Sequence, residues 1–170
     1  MSAPPLARIA VGVVVERRPA TSPWIDHVWR PVDVLAGVPD TAPWTQLPGE
    51  GGATVFYAGA AEVHLFRSET TNYRDNLATG EPFLWVVLRP TGADPPFEIV
   101  TVTADPAEGE AFTETGTDLV ETVPMPAAVA ETVAAFVAEH HVERTFHKRK
   151  RDRADPEALG RRQRTDEDGA

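Results

Sequence analysis

Ile9-Ala10-Val11-Gly12-Val13-Val14-Val15 is an unbroken apolar run of seven residues, four of them valine. β-Branched side chains fit a pleated surface better than a helix. A short continuous run of them predicts a strand buried on both faces rather than one that alternates between core and water. Glu16-Arg17-Arg18-Pro19 ends it. A second run of the same kind, Phe83-Leu84-Trp85-Val86-Val87-Leu88-Arg89, predicts a second central strand.

The segments around these two runs read as partner strands. In Trp24 to Leu35, Val28, Val32 and Val34 suggest alternation, but Pro31 interrupts it. Proline has no N–H for the ladder, so this is an edge strand or a strand with a bulge. Residues 36–52 are rich in Gly, Pro and Asp and form a long loop anchored by Trp44. Thr54–Ala58 and Ala61–Arg67 are expected to form a hairpin turning at Gly59-Ala60, the second arm alternating Val63 and Leu65 against Glu62 and His64. Ser68 is expected to cap a short helix through Leu77, with Gly80 just past its end. After a turn at 91–96, Phe97–Thr103 alternates. Asp105-Pro106 reads as an N-cap followed by proline at the first helical position, opening a helix to about Thr113 with a stop at Gly116. Leu119–Val123 is a last short strand. From Pro126, Val129, Val133, Phe136, Val137 and His140 recur at helical spacing and mark one packed face. Strands that follow one another without long intervening helices point to an α+β domain. The expected architecture is a mostly antiparallel, strongly bent sheet or partial β-barrel, with a short mid-chain helix and a C-terminal amphipathic helix. The expected layout is a frayed N-terminus over 1–7, one domain over 8–142, and a charged, largely disordered tail over 143–170.

Charge is unevenly spread. Residues 1–142 hold 7 Arg, no Lys and 19 Asp/Glu, a net of −12, whereas residues 143–170 are net +2. An acidic body repels nucleic acid and anionic membrane at long range, and only the tail attracts them. No cysteine is present, which excludes disulfides, thiolate zinc sites and a cysteine nucleophile. No apolar run approaches the ~20 residues of a membrane span, and the N-terminus lacks a secretory pattern, so a cytoplasmic location is expected.

Candidate chemistry is sparse. Gly49-Glu50-Gly51-Gly52 precedes a strand, whereas a phosphate loop follows one and opens a helix. Neighbours Asp26 and His27 face opposite ways in an extended strand and make a poor dyad. Trp29 beside Arg30 suggests a cation–π contact or a partner hot spot, against the alternative of a structural aromatic cluster. Adjacent His140 and His141 point about 100° apart on a helix, which disfavours joint metal binding. Glu69, Tyr73, Arg74 and Asp75 share one short helix, where salt bridging competes with acid–base work. The stretch Asp94–Glu121 carries eight acidic residues and no Lys or Arg, without calcium-loop spacing. It reads as a solvated face or as a docking surface for a basic partner or for the chain's own tail. No metal or cofactor is expected.

Several segments taken together carry a family resemblance. They are Val11 to Arg18, Pro23-Trp24 to Val32, Phe66-Arg67-Ser68-Glu69-Thr70 with Tyr73 and Asn76-Leu77, Leu84 to Arg89, Val123-Pro124-Met125-Pro126, and Phe136 to Val142 with Phe146 and Lys148-Arg149-Lys150-Arg151. The chain resembles the bacterial domain-of-unknown-function family thirty-three-oh-five over about residues 8–151. Members tend to be encoded near molybdenum-dependent formate dehydrogenase and its maturation proteins. Taken with the sparse chemistry above, this leads to the expectation of a non-enzymatic accessory protein, whose partner the resemblance implies to be a formate dehydrogenase subunit or maturation factor. The expected contact residues are Trp24, Asp26, His27, Trp29, Arg30 and Tyr73, with Lys148, Arg149, Lys150 and Arg151 adding electrostatic attraction. One alternative is a small ligand binder or enzyme in which His27, His64, Tyr73 and Arg74 converge on a pocket in the bent sheet. Another is a nucleic-acid binder acting through the tail.

Overall fold

The valine run lies at the middle of a sheet, with a partner on each edge. The computed structural model describes residues 3–142. In chain order the elements are β1 (Ala7–Pro19), β2 (His27–Ala36), β3 (Thr45–Leu47), β4 (Thr54–Leu65), α1 (Thr70–Ala78), β5 (Phe83–Pro90), β6 (Phe97–Thr103), α2 (Pro106–Thr115), β7 (Leu119–Pro124) and α3 (Ala127–His140). They build two antiparallel sheets, ordered β2-β1-β4-β3 and β6-β5-β7. Each continuous apolar run is thus a central strand. Val11, Val13 and Val15 of β1 join Leu84, Val86 and Leu88 of β5 in one buried cluster. β4 runs beside β6 and β2 beside β7, so the sheets meet along both margins. The expected α+β, bent antiparallel architecture is what the chain adopts.

The bend has a local cause. Opposite β1, the β2 register jumps from Asp33 at Val14 to Pro31 at Val15. On the other side, the β4 register jumps from Gly59 at Val13 to Tyr57 at Val14. Two bulges flank the same point of β1, and a bulge bends its strand and tightens its twist. β2 is therefore both an edge strand and a bulged one, as Pro31 demands. The hairpin expected at Gly59-Ala60 is not there: Thr54–Leu65 is one twelve-residue strand. Gly59 has φ +135°, and it absorbs the bulge rather than a chain reversal. Residues 36–52 are not all loop either, since β3 pairs with β4 within them.

The helices largely follow their caps. Asp105 accepts the Ala107 N–H at 2.9 Å, Pro106 starts α2, and Gly116 at φ +73° ends it after Thr115, slightly beyond the expected Thr113. Ser68 does not cap α1. It lies in a 3₁₀ turn over Arg67–Glu69, its hydroxyl donates to Glu69, and α1 starts at Thr70. Gly80 follows α1 at φ +83°. α3 buries Val129, Val133 and Phe136 against the same core. α1 packs on α3, and α2 covers the outer face of β5, where Gly109 lies on Trp85. Among the described residues no helix is long and apolar enough to cross a membrane.

Candidate functional site

The loop joining β1 to β2 is pinned at its base and apolar at its tip. The Ala20 N–H donates to the Asp26 carbonyl at 3.1 Å, and the Trp24 N–H donates to Ser22 Oγ at 3.2 Å. Between these bonds Trp24 is 89% exposed and Ile25 56%, with Val28 just beyond at 53%. Asp26 and His27 are also exposed. Isolated apolar residues on a surface are ordinary, but three together, led by a bare tryptophan, form a patch.

Behind the loop the aromatic residues turn inward. Trp29 of β2 stacks on Phe56 of β4 with centroids 5.7 Å apart and meets Trp44 and Phe97 edge-on at 6.1 and 5.8 Å. Together they fasten β2, β4 and the margin of β6. The cation over them is Arg17, 5.5 Å from the Trp29 centroid and 5.4 Å from that of Phe56, and not Arg30. Register explains the correction. Arg17 faces Trp29 across the β1–β2 ladder, whereas Arg30 faces Glu16 one step along and on the opposite side of the sheet. Arg30 and Arg18 both donate to Glu16 Oε2, at 3.1 and 2.9 Å. Burial opposes the charged form of Glu16, but the two guanidiniums outweigh it and hold the carboxyl below the usual range.

The four residues expected to converge in the alternative reading do not. His27 pairs with Pro19 at one end of β1 and His64 with Arg8 at the other, separated by about 35 Å of strand at ~3.3 Å per residue. His64 is exposed beside Glu62 at 3.2 Å. Tyr73 and Arg74 do come together, in a groove of about 1340 Å³ between α1, the start of α2 and the end of α3. Tyr73 is itself buried, so it belongs to the groove and not to the surface that bears Trp24. On one side of α1, Arg74 Nη1 lies 3.1 Å from His141 Nε2, and Thr70 Oγ1 lies 3.0 Å from Nδ1. On the other side, Asn72 Nδ2 donates to Asp105 at 3.0 Å and to Glu69 at 3.3 Å. His140 stacks on Phe136 at 4.5 Å. Among the described residues no group of three or more His, Asp or Glu side chains is placed to hold a metal ion. Lys148, Arg149, Lys150, Arg151 and His147, and with them the expected tail, lie outside the described residues.

The Tyr73 hydroxyl accepts the Phe66 N–H at 2.9 Å. Its pKa is pushed up to about 12, first by burial and then by the nearby Asp105, Glu69 and Glu108 carboxylates, against a lowering by the Phe66 bond. A raised folded pKa stabilises the fold fully below the ordinary value near 10 and loses that contribution as the pH climbs toward 12. The wild type should therefore lose about 1 kcal/mol more than Tyr73→Phe between pH 8 and pH 11 in urea unfolding. Parallel alkaline losses in the two proteins would refute the assignment.

Residues 10–150 match the family described as protein of unknown function, DUF3305. The chain belongs to the DUF3305 family. The DUF3305 match begins within β1 and passes beyond Val142, so the family unit includes Phe146 and Lys148 to Lys150. No curated protein and no solved structure matches the chain. Two features of the DUF3305 fold escaped the sequence reading. The pairing of Arg17 with the aromatic cluster depends on strand register, and the groove forms between helices remote in sequence. The one local hint for the groove was Asn72 three residues after Glu69 on the face of α1 toward Asp105.

Proposed function

We propose that the protein is a non-enzymatic accessory factor that grips a protein partner through the Trp24–Arg30 segment. The observation that carries this reading is the exposed set of Trp24 and Ile25 at the tip of a pinned loop and Val28 just beyond it at the start of β2. Tryptophan and arginine are the residues most enriched where binding energy concentrates, and apolar anchors ringed by polar groups are the anatomy of an interface centre. Here Arg18, Asp26, His27 and Arg30 supply the ring, and Arg18 and Arg30 are held in place by Glu16. Trp29 contributes from below as part of the rigid aromatic base and not as a contact. The Ala20–Asp26 bond closes the base of the loop, which lowers the backbone part of the ordering cost of binding. The resemblance supports a subunit or maturation factor of molybdenum-dependent formate dehydrogenase as the partner.

The test is titration with purified formate dehydrogenase and, separately, with its maturation factors. Trp24→Ala should weaken binding about 30-fold, the loss of a hot spot worth ~2 kcal/mol. Its melting temperature should stay within a degree of wild type, since the side chain touches little of the fold. Glu131→Ala, on the exposed side of α3, should bind like wild type. Equal affinity of Trp24→Ala and wild type would sink the surface assignment. Absence of binding to every one of these proteins would sink the choice of partner.

A further inference from the structure

We propose that the groove over α1 is the docking site of this chain's own residues 143–151, Glu143-Arg144-Thr145-Phe146-His147-Lys148-Arg149-Lys150-Arg151. The groove and the segment match in order as well as in chemistry. The described chain leaves the fold at Val142, which lines the groove and is 74% exposed. The exit is beside Arg74 and Thr70, which hold His141. A segment continuing from there would bring Glu143, the next residue, in next to the Arg74 guanidinium. The floor beyond is apolar, with Leu6, Phe66 and the Tyr73 ring, and it suits Phe146, the single aromatic residue after Phe136. The far side is the start of α2, where Glu69, Asp105 and Glu108 gather with no Lys or Arg in ion-pair contact among the described residues. Their combined field is felt at the Tyr73 hydroxyl.

Length allows the crossing. A helix with its side chains is about 10–12 Å wide, and the six residues from Val142 to Lys148 span up to about 20 Å when extended. The basic run therefore reaches the carboxylates while Phe146 lies over the floor. The site stands at the opposite end of β1 from Trp24 and does not rest on the partner reading. Its consequence is that the basic run is engaged with the acidic body, which leaves less of its charge for nucleic acid or for a second protein.

The chain has no cysteine, so paired cysteines report position cleanly. Ala107→Cys with His147→Cys keeps every charge of the basic run and of the groove. Ala135→Cys with His147→Cys is the control. Ala135 is on α3, six residues before His141, and an undirected tether meets it first. At low salt the Ala107 pair should form its intramolecular disulfide at least tenfold faster than the Ala135 pair. Adding Glu108→Lys to the Ala107 pair should slow it severalfold, and Glu110→Lys, outside the groove lining, should slow it much less. High salt should erase most of the difference. An Ala135 pair that closes as fast or faster, equal effects of Glu108→Lys and Glu110→Lys, or disulfides formed mainly between two molecules would each overturn the proposal.

Discussion

Gly109→Ala is expected to be among the most damaging single-methyl additions in the fold. Gly109 is on the buried face of α2, and an added Cβ would fall onto Cγ and Cδ1 of Trp85. The Trp85 Cβ, which the backbone of a central strand holds in place whatever the rotamer, would also lie only 2.7 Å from the added carbon, so turning the indole away does not relieve the clash. The helix has to lift instead. Overpacking of this kind costs about 3 kcal/mol, a fall in melting temperature of about 10 °C for a domain of this size. The sign is diagnostic. In a solvent-facing helix the same change would stabilise by about 1 kcal/mol through helix propensity. Urea unfolding with Trp fluorescence checks both parts: the transition should move to lower urea, and emission from Trp85 should shift to the red as α2 rises. In a Trp85→Ala background, Gly109→Ala should cost much less, because the clash is gone. An unchanged or higher midpoint for the single variant would mean that α2 does not lie on β5 as described.

What could be read from the sequence follows from how local the signal was. Ile9–Val15 and Phe83–Arg89 announce themselves because a strand covered on both faces has no polar side to alternate with, and both are central strands. Pro31 placed β2 at an edge through a missing donor, a property of one residue. Asp105-Pro106 and Gly116 bracket α2 for the same reason. Gly59 misled, because a glycine inside alternating residues signals a bulge as readily as a turn, and only the partner strand decides between them. Trp24 and Trp29 are five residues apart and chemically identical, yet one is bare and the other packs among Trp44, Phe56 and Phe97. That difference is set by β4 and β6, which no local pattern around Trp29 contains. Tyr73 was read as a contact residue alongside Trp24, on a short helix shared with the charged Glu69, Arg74 and Asp75. It is buried because its hydroxyl finds the Phe66 N–H and its ring finds Phe136 on α3.

Asn76→Ala should cost about 3–4 kcal/mol, by loss of buried hydrogen bonds rather than by a clash. Asn76 is buried in α1 and uses both ends of its amide. Nδ2 donates to the carbonyls of Phe83 at 2.8 Å and Ala104 at 3.1 Å, and Oδ1 accepts the Phe83 N–H at 3.1 Å. One side chain thereby ties α1 to the start of β5 and to the end of β6. Alanine removes three hydrogen bonds and leaves buried backbone groups without them, which is where truncation is most expensive. Asn76→Asp separates the packing contribution from the hydrogen bonds. It keeps the shape and the acceptor but loses both donors, and it brings a carboxylate into a buried site. Burial raises the folded pKa of such a group, so the variant's stability should be highest in mild acid and fall as the pH rises from 4 to 7, opposite in sign to a salt-bridged carboxylate. A flat profile for Asn76→Asp, or a cost below 1 kcal/mol for Asn76→Ala, would show that the amide is not the clamp. Because Glu69, Thr70, Tyr73 and Arg74 all belong to the turn and helix that Asn76 holds, loosening it should slow disulfide closure between positions 107 and 147. The Trp24 loop, at the far end of β1, should keep its affinity at temperatures where Asn76→Ala is still folded. The two ends of the molecule can thus be perturbed separately, one through a buried amide and the other through an exposed indole.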